Sequence, residues 1–212
     1  MEKKETILHS FGRSLGGAHL PHFKSTAELE SVVMPPPKSV AIPLQQHIGA
    51  PCEPIVKVGD KVFVGTKIGD SDKFICAPVH SSVSGEVTKI ADVIPANGKP
   101  VKMIFIESDG LMEKDPNLSP LNVESEEDLV KATRDCGLVG LGGAGFPTHV
   151  KLTKRPDVEI DTLIINGAEC EPYITADYRE CMENTDDILE GIYLVKKVLG
   201  LKKVDSPAWC SS

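Results

Sequence analysis

The chain has 212 residues, 41% of them hydrophobic and 25% charged, which provides for an ordinary globular core in one large domain or two small ones. A formal charge of −8 excludes a protein built around a nucleic-acid backbone, because that contact needs clustered Lys and Arg, and the 23 basic residues here are interspersed with 31 acids. No apolar run reaches the roughly 20 residues of a membrane-spanning helix, and Met1-Glu-Lys-Lys-Glu5 lacks the apolar centre of a signal peptide. The expectation is a chain on the cytoplasmic side, with any membrane link made through a partner.

Residues 1–38 are rich in Gly, Pro and His without a sustained period, so they read as an extended arm in which Met34-Pro-Pro-Pro-Lys38 is polyproline-like. His19 and His22 lie in this arm three residues apart, and with no third ligand near them packing or hydrogen bonding is the simpler account. From residue 39 to about 110 the pattern becomes short β runs: Val40–Leu44, Pro54–Val58, Lys61–Val64, Gly85–Ile90 and Val101–Ile106. Gly59-Asp60 and Gly69-Asp70 mark turns between them. Several short strands in about 70 residues imply a small sandwich or barrel.

Residues 111–124, with Pro116 and Pro120, form a polar linker. Beyond it Ser125-Glu-Glu-Asp128 caps a helix through Asp135, with acids in the first turn and Gly137 at its end. A glycine-rich loop follows, then a short helix from Pro147, a strand over residues 162–165, and an acidic motif. Ile188, Leu189, Ile192, Val195 and Leu199 recur at helical spacing over 186–199, closed by Gly200. Alternating strands and helices over 125–204 predict an α/β domain with a mostly parallel sheet. Lys202-Lys-Val204 starts a further strand, whereas residues 205–212 show no strand pattern, so the domain reads as incomplete and the chain as a piece of a longer protein or one with an altered C-terminal end.

Cys52, Cys76, Cys136, Cys170, Cys181 and Cys210 form no C-x-x-C pair, so neither a zinc ribbon nor an iron–sulfur ligand run is encoded. They read as reduced, partly buried thiols, Cys170 excepted because it sits within the acidic motif.

Two segments carry the candidate chemistry. Gly140-Leu-Gly-Gly-Ala-Gly145 has neither the spacing of a Rossmann turn nor that of a P-loop, and its glycines suit a phosphate-binding loop or a close-packed turn. Lys151, one turn into the following helix, supplies a cation for a phosphate or a flavin ring, or is a solvated helix lysine. Asn166 ends the predicted strand, where ligands collect in open α/β sheets, and its amide suits the uracil-like edge of a flavin. Glu169 and Glu171 offer free acceptors for ribityl or ribose hydroxyls, or form a solvated acidic loop. Tyr173, Asp177 and Arg179 follow, the last two as an ion pair beside a helix start.

Gly137-Leu-Val-Gly-Leu-Gly-Gly-Ala-Gly-Phe-Pro-Thr-His-Val-Lys151 together with Leu163-Ile-Ile-Asn-Gly-Ala-Glu-Cys-Glu-Pro-Tyr173 resembles the RnfC subunit family of ion-translocating Rnf electron transport complexes. Gly16-Gly-Ala-His-Leu-Pro21, Ile42-Pro-Leu-Gln-Gln-His-Ile-Gly-Ala50 and Val58-Gly-Asp-Lys-Val62 extend the likeness from about Gly16 to Lys203. That family is related to the flavoprotein subunit of respiratory complex I. The resemblance implies FMN and NADH binding, with Gly140, Gly142, Gly143 and Gly145 at the FMN phosphate region, Lys151, Asn166 and Glu169 on the flavin, and Phe146 and Glu171 near the nicotinamide nucleotide. Leu141 stands where complex I has an arginine and Ala168 where it has an aspartate, so two polar contacts are missing. The two [4Fe–4S] clusters of the family belong to a C-terminal part that these residues do not include.

Residues 54–90 also resemble the barrel-sandwich hybrid of lipoyl and biotinyl carrier domains, with Lys73 nearest to the modified lysine but without its flanking residues. The expected fold is therefore a barrel-sandwich hybrid β module over 39–110 followed by an incomplete, Rossmann-like α/β FMN/NADH domain over 125–204. The expected function is that of an NADH:ferredoxin oxidoreductase subunit, partnered by NADH, by other Rnf subunits and indirectly by ferredoxin. The alternatives are a cobalamin-reductase-like flavin enzyme and a docking subunit of the same fold without cofactor.

Overall fold

The computed structural model describes residues 21, 23–96, 98–154 and 157–205; His19, His22 and Cys210 lie outside them. Seven antiparallel strands form the first module: β1 (Ser39–Pro43), β2 (Glu53–Pro54), β3 (Lys61–Val62), β4 (Lys67–Asp70), β5 (Val79–His80), β6 (Gly85–Val93) and β7 (Val101–Ser108). They make two sheets, ordered β1-β7-β6-β3 and β2-β4-β5. Alternation on the long strands builds the core: Ile104 and Ile106 of β7 face Ile42 and Val40 of β1 in register, and Val87 joins them from β6. Val62 of β3, Ile68 and Val79 of the second sheet, and Val83 of the turn before β6 close the same cluster. Gly85 is indispensable here, since its φ is +154° and a Cβ would lie 2.0 Å from the Glu107 carbonyl oxygen.

Three expectations for this module need correction. The run expected over Pro54–Val58 shrinks to Glu53–Pro54, and β4 and β5 are additional strands. The pair Gly69-Asp70 lies inside β4 instead of in a turn. Gly69 is needed for close packing, because a Cβ there would meet Leu44 Cδ2 at 2.4 Å, and Asp70 turns its carboxylate to Arg134 of the next module. Gly59-Asp60 does form a turn, with the Lys57 N–H donating to Asp60 Oδ2 and Gly59 at φ +92°.

The second module contains α1 (Glu126–Asp135), α2 (Thr148–Leu152), β8 (Thr162–Ile164), α3 (Ala176–Glu183), α4 (Thr185–Val198) and β9 (Lys203–Asp205). Ser125 caps α1 through a full capping box with Asp128, and Gly137 at φ +68° ends it. Strands β8 and β9 pair in parallel, Leu163 opposite Val204, with α3 and α4 in the crossover between them. Helix α3, of which the sequence marks only a start beside Asp177, is eight residues long and buries none of them. The stripe on α4 is present, yet no residue of this helix is buried among the described residues.

The modules meet along α1 and α2. Arg134 donates to Asp70 Oδ1 at 2.9 Å and to the Ser71 carbonyl. Burial pushes the Asp70 carboxyl up, but the Arg134 guanidinium and the Ser71 N–H outweigh it and hold the group below its usual range. His149 of α2 is buried and shares its Nε2 with the Phe74 carbonyl at 2.9 Å, the two rings meeting edge to face.

Candidate functional site

The glycine loop connects α1 to α2 and is folded on itself. The Gly140 N–H donates to the Phe146 carbonyl at 3.0 Å and the Phe146 N–H to that of Ala144 at 2.7 Å. A Cβ on Gly140 would approach the Ala144 oxygen to 2.6 Å, so this glycine is required by the closed turn itself. Gly142 and Gly143 are exposed on the outer side, and a Cβ on Gly143 would meet nothing within 4 Å.

Opposite the loop, β8 ends at Ile164 and the chain turns at Asn166, whose Oδ1 accepts from the Ala168 N–H at 3.1 Å. Between loop and strand end lies a cleft of about 530 Å³, lined by Gly140, Gly142, Gly143, Lys151 and Asn166, with Cys170, Asp177 and Glu180 completing its wall. This volume falls in the range of small-molecule sites. Cys170 ties the two motifs directly, its thiol 3.6 Å from the Gly142 carbonyl. Lys151 is exposed and makes no ion pair or hydrogen bond among the described residues. Its Nζ stands 3.6 Å from the position a Gly140 Cβ would take, which sets a cation of the cleft wall beside the loop.

The other site residues expected from sequence lie elsewhere. Gly145 faces the β module: its carbonyl accepts from the Ile48 N–H at 2.8 Å, and a Cβ would come within 3.2 Å of the Gln46 carbonyl oxygen. Phe146 is half-buried behind the loop, and Glu171 is exposed outside the cleft. Glu169 does not offer free acceptors. Its side chain is 3% exposed, with Oε2 paired to Lys24 Nζ at 2.7 Å and Oε1 accepting the Asp177 N–H at 3.0 Å. The expected Asp177–Arg179 pair is replaced by Arg179–Glu183 one helical turn along α3, which frees the Asp177 carboxylate for the cleft. Asp177 and Glu180 are thus the acids that sequence reasoning did not assign to the cleft; their spacing of three on α3 was the available signal.

A larger groove of about 660 Å³ adjoins the cleft and shares Ile165, Cys181 and Ile188 with it, but its remaining wall is mainly Tyr178, Met182, Leu189, Ile192, Tyr193 and Val204. This is the uncovered apolar face of α4 and β9. In the β module, His47, Cys52 and Cys76 gather in the core with their ligand-type atoms within 4.8 Å of one another. Hydrogen bonds close that group: the Ala77 N–H donates to His47 Nε2, and Cys52 Sγ bonds Cys76 Sγ at 3.4 Å and the Ala77 carbonyl at 3.2 Å. Burial, then the Cys76 contact, pushes the Cys52 thiol up to about 12, so it is a protonated donor here. Lys73 is exposed between β4 and β5, beside Asp72.

A β sandwich is thus joined to a smaller α/β unit whose glycine loop faces a strand end across an open cleft. The domain comparisons make this specific. Residues 13–111 match the RnfC barrel sandwich hybrid domain, and residues 133–205 match the Nuo51 FMN-binding domain.

Along nearly its whole length the chain resembles the C subunits of Rnf-type complexes. It is 44% identical over 196 residues to the C subunit of the Na(+)-translocating ferredoxin:NAD(+) oxidoreductase complex of Acetobacterium woodii, covering 91% of this chain and 44% of that protein. It is 42% identical over 193 residues to the C subunit of the proton-translocating ferredoxin:NAD(+) oxidoreductase complex of Clostridium ljungdahlii, covering 89% and 42%. With the C subunit of the ion-translocating oxidoreductase complex of Rhodobacter capsulatus it shares 41% over 194 residues, covering 89% and 37%. The chain therefore spans less than half the length of these relatives. No helix among the described residues is long and apolar enough to cross a membrane.

Proposed function

We propose that the cleft between the glycine loop and Asn166 binds FMN, and that the protein serves as the flavin-bearing part of a subunit exchanging electrons between NADH and ferredoxin in an ion-translocating membrane complex. The observation that carries this reading is the unpaired Lys151 beside an open Gly142-Gly143 backbone, in a segment that matches an FMN-binding domain. An anion seated there meets main-chain N–H groups and an ammonium without displacing a side chain.

FMN, when bound, supplies the conversion between a two-electron hydride and single electrons. The chain's own contribution is positional. Gly142 and Gly143 let the phosphate end approach the backbone, Lys151 neutralises it, and the Asn166 amide meets the polar edge of the ring. The carboxylates of Asp177 and Glu180 accept from ribityl hydroxyls, the task that Glu169 is too committed to perform. Glu171, exposed beyond the cleft, is proposed to meet the nicotinamide nucleotide.

The test is a flavin absorbance spectrum of the purified protein, reconstituted with FMN and then mixed with NADH under anaerobic conditions. Retained yellow colour that bleaches with NADH supports the reading. Protein that retains no flavin in a chain of the relatives' full length fits a docking subunit instead.

A further inference from the structure

We propose that the arm segment Phe23–Ser31 is a strap that positions the wall of the cleft, with Lys24 as its positioning residue; only the consequence for flavin rests on the function proposed above. Lys24 Nζ bonds Glu169 Oε2 at 2.7 Å and the Ile174 carbonyl at 3.0 Å, although 145 and 150 residues separate it from them. Glu169 is almost fully buried, and its second oxygen accepts the Asp177 N–H in the first turn of α3. One carboxylate thereby fixes the loop that carries Cys170 and the helix start that carries Asp177, two parts of the cleft wall.

Four further contacts run along the same seam. Thr26 Oγ1 meets the buried Thr175 Oγ1 at 2.6 Å, Arg179 Nη1 donates to the Ala27 carbonyl at 3.0 Å, the Ser31 N–H donates to Glu183 Oε1 at 2.9 Å, and the Phe23 ring lies 6.1 Å from that of Tyr173. The seam follows residues 169–183 and touches neither the glycine loop nor the β module through these bonds. Without Lys24, Glu169 is a buried carboxylate lacking its counter-ion, and it gains solvation by leaving its site toward water. The loop between β8 and α3 then loses its anchor, and Cys170 and Asp177 move with it.

The experiment compares wild type with Lys24→Met and Lys24→Arg by amide hydrogen exchange, and then by FMN titration. Lys24→Met is expected to speed exchange at residues 168–177 by about tenfold, the loss of one charge-assisted contact. Amides of α1 and the β module keep their wild-type rates. Lys24→Arg, which keeps a donor for both Glu169 and the Ile174 carbonyl, restores protection, and the FMN dissociation constant rises about tenfold in Lys24→Met and recovers in Lys24→Arg. Unchanged exchange in Lys24→Met, loss of protection throughout α1 as well, or a Lys24→Arg variant no better protected than Lys24→Met overturns the strap. Faster loop exchange with unaltered FMN affinity overturns its positioning of the cofactor site. If wild type takes up no FMN, the proposed function fails while the exchange rates still decide the strap.

Discussion

Replacing Gly143 by Val separates ligand recognition from folding. Gly143 has no neighbour within 4 Å of an added Cβ and no positive φ, so the fold accepts the side chain; an exposed change of this kind shifts stability by about 0.5 kcal/mol or less. Gly143 lines the cleft, so under the proposed function a branched side chain there holds a phosphate off the main chain. Losing one charge-assisted N–H contact costs about 1.5–3 kcal/mol, which weakens FMN by about 10- to 100-fold. Quenching of flavin fluorescence on titration with protein gives the affinity, and a thermal melt of the apoprotein gives the stability. Gly140→Ala is the control, because its Cβ meets the Ala144 oxygen at 2.6 Å and lowers both quantities together. Wild-type FMN affinity in Gly143→Val, with an unchanged melt, would move the phosphate to another part of the protein.

Asp70→Asn should lower stability by about 1–2 kcal/mol by removing the ionic link between the modules, measured by urea unfolding. Because the folded Asp70 carboxyl lies below its usual value, its contribution is present above that value and disappears as pH falls through the lower folded one; the variant should lack this part of the acid sensitivity. Alkylation at pH 8 should label the exposed Cys136 and Cys170 well before Cys52 and Cys76, which react only on unfolding. The raised Cys52 value also means stability holds below the ordinary thiol range and falls as pH climbs toward about 12, seen as a falling melting temperature that Cys52→Ser reduces. In a chain of the relatives' full length, Glu171→Ala should weaken NADH more than FMN by calorimetry; equal losses would leave Glu171 a general support of its loop.

Features with local causes were readable from the sequence. The capping box at Ser125 and Asp128, the glycine ends at Gly137 and Gly200, and the long alternating strands β6 and β7 each carry their signal within a few residues. Two-residue strands such as β2 and β5 are too short to alternate, and the eight residues of α3 carry only the short apolar run Tyr178, Cys181 and Met182, too brief for a sustained periodic signature. The site divides the same way. Gly143 and Gly145 look alike in sequence, but only the fold turns one to the cleft and the other to Gln46. Glu169 reads as an available acid because its counter-ion, Lys24, is about 145 residues away in the chain.

The central claim is that FMN occupies the cleft between the glycine loop and Asn166. Titration of FMN into isotopically labelled protein, followed by amide nuclear magnetic resonance, addresses it directly at 22.8 kDa. The account predicts saturable shifts centred on Gly140, Gly142, Gly143, Lys151 and Asn166, with the β-module core unmoved. Saturable shifts confined to the apolar groove of α4, or to the β module, would contradict it.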